Sequence, residues 1–296
     1  VNLKKTKIYI FVVIFILMPI IGLAGGVVKK SVNQGLGFAN SAIESWAYQN
    51  VPQLRLIEID SRLRNDSKPD VRVIGLIELT DREYESYLSQ FSFSTFDDRE
   101  TLNIGLVWRG INKSKTLIYG VNVFYDREFN SNHSRLGVGF ETKSSVYDLN
   151  INFYAGLSDK KEVDGSIEEA ADGHDIEVGL YVPYMPWAKI YYKGYRWDSS
   201  IYDIVHGEVL SLHMQPSNRF SIEAGLQNDN TMDSDRQFIK LNYILCCNID
   251  TNKPIVFVTP YAYSYKVIEN RFFERVRREN NIVKGVKGAV VVGRGT

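Results

Sequence analysis

The side chains able to do chemistry in this chain of 296 residues are few and scattered. Four histidines, His133, His174, His206 and His213, show no His-x-x-x-His spacing that would bring two imidazoles to one metal. His206 and His213 are an odd number of residues apart, so on one strand they point to opposite faces. His174 stands beside Asp175, but no nucleophile is placed with it, and there is no Gly-x-Ser-x-Gly turn and no Gly-rich phosphate loop. The two cysteines, Cys246 and Cys247, are adjacent, which excludes a disulfide framework and a zinc site built from cysteines alone. The expectation is no catalytic residue, no cofactor and no metal. What remains is ionic chemistry. Glu274, Arg275, Arg277, Arg278, Glu279, Asn280 and Asn281 form a dense run, and from Ala262 onward there are eight basic residues against three acidic. The chain between 25 and 261 is net acidic, with 24 basic residues against 32 acidic. A basic run of this kind can be held among Asp and Glu side chains presented by other elements; an ordinary solvated tail is the competing reading.

The elements that would present those carboxylates are strands. In Leu117, Tyr119, Val121, Val123 and Tyr125 one parity is apolar, while Gly120, Asn122 and Asp126 fall on the other. The split recurs in Leu136, Val138 and Phe140 against Arg135 and Glu141, and in Tyr147, Leu149, Ile151 and Phe153 against Asp148, Asn150 and Asn152. It is equally clean for Ile176, Val178 and Leu180 against Glu177, and for Phe220, Ile222 and Leu226 against Glu223. Such alternation is a strand with one apolar and one polar face. The polar set Asn122, Arg135, Glu141, Asp148, Asn150, Asn152, Glu177 and Glu223 is therefore expected to share one side of a sheet, facing its interior.

Twelve such segments are expected, near 53–62, 71–80, 86–96, 101–110, 115–126, 134–143, 145–156, 174–183, 187–198, 203–214, 219–228 and 236–246. The parity is poor in the first, third and tenth, where both faces carry apolar residues. Eighteen tyrosines and fifteen phenylalanines against eight prolines lean the same way. Mean hydropathy of -0.19 reads as soluble, but a strand wet on one side gives that value in a membrane too. Segment lengths near ten suit tilted spans of a bilayer, and the connections alternate between long polar and tight ones, as in outer-membrane barrels. Trp46, Trp108, Trp187 and Trp197 fall near expected strand ends, where interfacial aromatic girdles sit. The fold class is all-β: a twelve-stranded antiparallel transmembrane barrel.

Lys4, Lys5 and Lys7 precede an apolar run from Ile8 to Leu23, followed by Ala24 and two glycines. This reads as a secretory signal peptide over 1–24, with an uncleaved anchor as the competing reading. Residues 25–51 form a periplasmic lead-in with a short helix in NSAIESWAY, where Ser41 and Glu44 have capping-box spacing. The barrel is assigned to 52–247 and a linker and tail to 248–296. Outer-membrane lipid, the general export and barrel-insertion machinery and a surface receptor met through the loops are the expected partners. A charge of zero gives no reason to expect nucleic acid.

GLVWRG, YGVNVFYDREFNSNHSRLGVGFE, LNINFYAGLSD and EVGLYVPYMPWAKIYYKGYRWD together resemble the β-domain of inverse autotransporters, the intimin and invasin group. Upstream, NSAIESWAYQNV resembles the family's entry segment; downstream, ERVRRENNIV resembles its linker. The resemblance covers roughly 38–285 and is weak before Leu102 and around Leu241 to Pro254. It implies that the linker passes back through the pore and carries a C-terminal passenger, often an adhesin, to the surface. No immunoglobulin-like or lectin-like repeat is present, so the expected function is an outer-membrane translocator whose passenger is absent or vestigial. The alternative is a stand-alone surface barrel acting as an adhesin through its loops.

Overall fold

The alternating segments pair into a ring. A computed structural model describes residues 42, 44–47, 49–64, 69–96, 99–247, 254–263, 265–286 and 289–291. Seven strands come first: β1 (Leu54–Arg64), β2 (Asp70–Glu78), β3 (Glu85–Phe96), β4 (Arg99–Ile111), β5 (Leu117–Glu128), β6 (Ser134–Ser144) and β7 (Tyr147–Gly156). A small hairpin, β8 (Lys161–Val163) and β9 (Ser166–Ala170), interrupts the series. It resumes with β10 (Asp172–Val182), β11 (Met185–Ser199), β12 (Tyr202–Met214), β13 (Phe220–Asp229) and β14 (Arg236–Cys246). The twelve long strands form a closed antiparallel barrel in which each pairs with its neighbours in sequence and β1 closes on β14, with Arg62 opposite Lys240. Each lies within two residues of its expected bounds. Two short strands come last, β15 (Lys284–Val286) and β16 (Ala289–Val291). The expected leader over 1–24 and Ser41 lie outside the described residues.

Burial is inverted relative to a water-soluble protein. Tyr119, Val121, Val123 and Tyr125 on β5, with Val138 and Phe140 on β6, are exposed, at 40% or more. Asn122, Arg135, Glu141, Asp148, Asn150 and Asn152 are buried. An apolar exterior around a charged interior is the solution for a wall that faces lipid outside and polar groups within, and closure leaves no strand edge unpaired. Trp108 shares the outward parity of Ile104 and Leu106 near the tight-turn end, where the Trp187 indole donates to Phe257 O at 2.9 Å. Trp197 is 1% exposed, faces inward and packs on Tyr154 at 5.1 Å between ring centroids. The girdle expectation fails there because the interior needs apolar filling as well as charge.

Two ends of the barrel differ as expected. At one end the links are tight, such as Pro183 and Tyr184 between β10 and β11. At the same end the described helical residues among 42–50 bring Ala47 onto Leu54 and Cys246, while Glu44 pairs with Arg219 at 2.6 Å. Cys246 and Cys247 are disulfide-bonded to each other there. At the other end the β7–β10 connection carries the β8–β9 hairpin, turned by Asp164 and Gly165, both at positive φ as a two-residue type I′ turn requires. If the exposed mid-strand side chains meet lipid, Val123→Arg costs about 2–4 kcal/mol in insertion free energy. The check is the unfolding midpoint of the barrel in lipid vesicles; an unchanged midpoint would contradict a lipid-facing Val123.

Candidate functional site

The inward side chains surround one stretch of the same chain. Residues 254–263 and 265–267 run along the tight-turn end: Tyr184 exchanges backbone hydrogen bonds with Ala262 and Thr259, and the Ile268 N–H donates to Lys115 O at 2.8 Å. A single turn of 3-10 helix, Glu269–Arg271, comes next. The Arg271 guanidinium donates to Ser144 O at 2.7 Å and to Asp148 of β7 at 2.9 Å. From here the contacts progress toward the long-loop end.

Each basic residue between 271 and 284 meets a carboxylate of the wall. Arg275 pairs with Glu58 at 3.0 Å and with Asp60, both on β1. Arg277 grips Glu177 of β10 at 2.5 and 2.9 Å and lies 3.3 Å from Glu223 of β13. Arg278 forms a fork with Asp126 of β5 at 2.9 and 2.7 Å, its guanidinium 4.3 Å from the Phe124 ring. Two-pronged pairing is the arrangement a planar guanidinium favours with a carboxylate. Lys284 reaches both oxygens of Glu128 at 2.8 Å. These partners come from strands all round the ring, which requires the segment to sit among the inward side chains.

The backbone of the segment is held as firmly. Arg109 Nη1 donates to the carbonyls of Phe272 and Glu274, both at 2.6 Å, while Arg109 Nε binds Glu141 at 2.5 Å. Gln90 accepts the Val276 N–H at 2.8 Å, and the Tyr154 hydroxyl accepts that of Glu279 at 2.7 Å. Arg135 donates to Glu279 O at 2.7 Å, and Asn103 to Asn280 O at 2.8 Å. Asn152 donates to Arg277 O at 3.2 Å, and Ser94 to Asn281 Oδ1 at 3.2 Å. Gly137 makes room: a Cβ there would lie 2.7 Å from Arg278 Nη2. Gly139, between Asn122 and Asn152 in the ladder, lets their amides close over it.

Apolar side chains of the segment fill three interior clusters. Ile268 and Phe272 pack with Ile111 and Ile118; Val276 packs with Leu56, Leu76, Leu88, Val107 and Phe124; Val283 packs with Tyr154, Trp197, Val205 and Phe238. Past Val283 the chain pairs with the outer hairpin, Lys284 opposite Ala170 and Val286 opposite Glu168, giving a four-stranded sheet β16-β15-β9-β8. A charged knot ties this sheet to the barrel rim. Arg99 forks onto Glu168 at 2.8 and 2.7 Å and reaches Glu128 at 3.1 Å. Buried His133 has Nδ1 2.8 Å from Ser158 Oγ and Nε2 3.8 Å from Glu168.

All of the expected interior residues are buried, but they have different roles. Asn122 lines Gly139, Asn150 donates to Glu177 at 3.1 Å, Glu141 holds Arg109 and Lys143, and Arg135 donates to Glu279 O of the segment. Glu274 pairs with Arg271 at 2.8 Å and with Lys143 at 3.4 Å. The sequence reasoning missed Asp60, Asp126, Arg109, Glu128, Arg271 and Lys284 as members of the site. Asp126 and Arg271 had a signal, namely strand parity and membership of the basic run. Among the described residues no group of His, Cys, Asp and Glu could hold a metal.

Comparison with known proteins gives a consistent result. A family model described as the β-domain of inverse autotransporters matches residues 25–280. The chain is 27% identical over 184 residues to an invasin of Yersinia enterocolitica, covering 60% of this chain and 21% of that protein. It is 27% identical over 165 residues to a putative attaching and effacing protein homolog of Escherichia coli K12, covering 54% of this chain and 55% of that one. A chain solved in work on the mechanism of in-meso crystallization of membrane proteins superposes with a TM-score of 0.65 at 17% identity, over 79% of this chain and all of that one. That likeness is one of fold. The chain spans about a fifth and about half of the length of these two relatives.

Asp126 is shared by Arg135 at 2.8 Å and Arg278 at 2.7 Å, all three being buried or nearly so. Asp126→Ala is expected to cost about 3–5 kcal/mol by leaving two guanidinium groups without their carboxylate. Adding Arg278→Met should recover part of that loss, and denaturant titration of both variants measures it; equal loss in the double variant would disprove the coupling. A second expectation concerns pH. Burial pushes the His133 imidazole below its ordinary value, with the Lys284 and Lys161 ammonium groups adding to this and Glu128 and Glu168 opposing it. The docked rim thus favours neutral His133, whereas a released loop takes up a proton near pH 6.5. Docking is at full strength above about pH 6.5 and weakens as pH falls through it toward the lowered value. Amide exchange at Gly285, corrected for intrinsic rate, should be faster at about pH 5.5 than at about pH 7.5, and His133→Asn should remove the difference.

Proposed function

The chain belongs to the inverse autotransporter β-domain family, and we propose that its barrel holds residues 268–286 as a pore-threading linker that carries the downstream chain to the cell surface. The barrel resides in the bacterial outer membrane, its exposed apolar belt against lipid. The observation that carries the proposal is the order of the ion pairs. Along the chain, Arg271, Arg275, Arg277, Arg278 and Lys284 meet Asp148, Asp60, Glu177, Asp126 and Glu128. The route starts beside the tight turns at Lys115 and Ser144 and ends in a sheet with the longest outer connection.

On this reading 52–247 is the membrane barrel, 248–296 the linker and tail, and the role is mechanical, not catalytic. Export and barrel-insertion machinery deliver the chain, and a surface receptor would be met by residues beyond β15. A stand-alone adhesin acting through free loops is less well supported, because the β7–β10 connection it would use is occupied by its pairing with β15. Inside the barrel, a polar cavity beside Arg275 and Arg277 has about 50 Å³, room for only a few waters.

An epitope fused after Thr296 is the direct test. Antibody should label intact cells, and protease added from outside should remove the epitope while leaving the barrel. Labelling only after permeabilisation would overturn the threading.

A further inference from the structure

The outer surface of the wall changes character along β10 to β13. Two ladder rows are apolar and face outward: Leu180, Ile190 and Leu212, then Val178, Tyr192, Leu210 and Leu226. One residue pair nearer the long-loop end the row reads Ile176, Gly194, Glu208, Asn228, and the next reads His174, Arg196, His206. Gly194 has no heavy atom over the place its Cβ would take, so its neighbours bound a groove of about 540 Å³. Arg196 and His206 are exposed, and among the described residues neither side chain has a hydrogen bond or ion pair. Glu208 is held by the Tyr192 hydroxyl at 2.6 Å.

A guanidinium on the lipid-facing wall is costly at mid-depth and tolerated only near the head groups, where anions can satisfy it. The apolar rows immediately below place Arg196 at that boundary. We propose that this groove binds the phosphorylated sugar head group of an outer-leaflet glycolipid. A phosphate monoester takes the two-pronged guanidinium of Arg196, with the imidazoles of His174 and His206 on either side. Sugar hydroxyls donate to the Glu208 carboxylate, which would repel a second phosphate but accepts neutral donors. Acyl chains lie along Val178, Tyr192, Leu210 and Leu226. A glycerophospholipid offers the phosphate without the ring of hydroxyls, and so fits only half of the groove.

Delipidated full-length barrel in detergent, examined by native mass spectrometry, tests this with three probes: a monophosphorylated glycolipid, the same glycolipid without its phosphate, and phosphatidylglycerol. The unmodified barrel should retain the first at least about fivefold more than either other, the scale of one cation–headgroup contact. Arg196→Ala should bring its retention down to that of the dephosphorylated probe. Gly194→Phe fills the groove without touching a charge and should do the same, so it decides the matter if Arg196→Ala fails to fold. Heat-dependent electrophoretic mobility verifies that each variant is a barrel. Undiminished retention in folded Gly194→Phe, a preference for phosphatidylglycerol, or a dimer formed through this face would overturn the assignment.

Discussion

The structure depends on the shared carboxylate. Asp126 on β5 is bound by Arg135 of the wall and by Arg278 of the central segment, and neither guanidinium could stay buried without it. The same three-way arrangement recurs where Asp148 meets both Lys189 and Arg271, and where Glu223 meets both Lys240 and Arg277. In each case a wall cation alone would pair with the carboxylate, and the segment adds a second cation to it. The interior acidity thus exceeds what the wall can neutralise from its own strands. A barrel with this interior is complete only when a basic stretch fills it, and the eight basic against three acidic residues from Ala262 onward offset most of the acidic excess between 25 and 261.

Apolar packing reinforces the charges and fixes the register. Ion pairs between flexible side chains tolerate sliding by a residue; three spaced hydrophobic clusters do not. Phe272, Val276 and Val283 each enter a different cluster, so a shift of one position would put Arg275 or Arg277 where Val276 now meets Leu56 and Phe124. Backbone bonds from Arg109, Asn103 and Arg135 to successive carbonyls of the segment add a sequence-independent grip. The pairing of β15 with β9 then stops the chain at the outer rim, where Gly285 passes too close to Ser199 for any side chain.

Much of this was legible in the sequence because a strand facing lipid on one side and water or charge on the other leaves a period of two. On β5, β6, β7 and β10 the apolar residues of the alternating set are outward and Asp126, Arg135, Glu141, Asp148 and Glu177 are inward, and parity alone placed Asn150, Glu177 and their neighbours. What parity could not supply is partnership. Glu58 and Asp60 lie on β1, where Leu54 and Leu56 share their face, so no polar stripe was visible. The β8–β9 hairpin left only the Asp164-Gly165 turn as a signal, its strands being three and five residues long. Lys284 comes after the dense basic run, and its partner Glu128 is identified only by the fold.

The strands that defied parity are informative for a physical reason. Local patterning fails where a wall does more than separate two media. On β1 and β3 the inward Leu56 and Leu88 break the stripe because they receive Val276. On β12 the break is double. Val205 and Val209 face inward to receive Val283, while His206 and Glu208 face outward where lipid would ask for Leu or Val. The inward exceptions have their compensation inside the barrel, in apolar contact with the segment. Among the described residues the outward ones have none beyond the Tyr192 hydroxyl on Glu208, and a polar group facing a membrane without a partner in its own protein is satisfied by something in that membrane. The strand least readable in the sequence is thus the one that answers to two partners at once, one on each face.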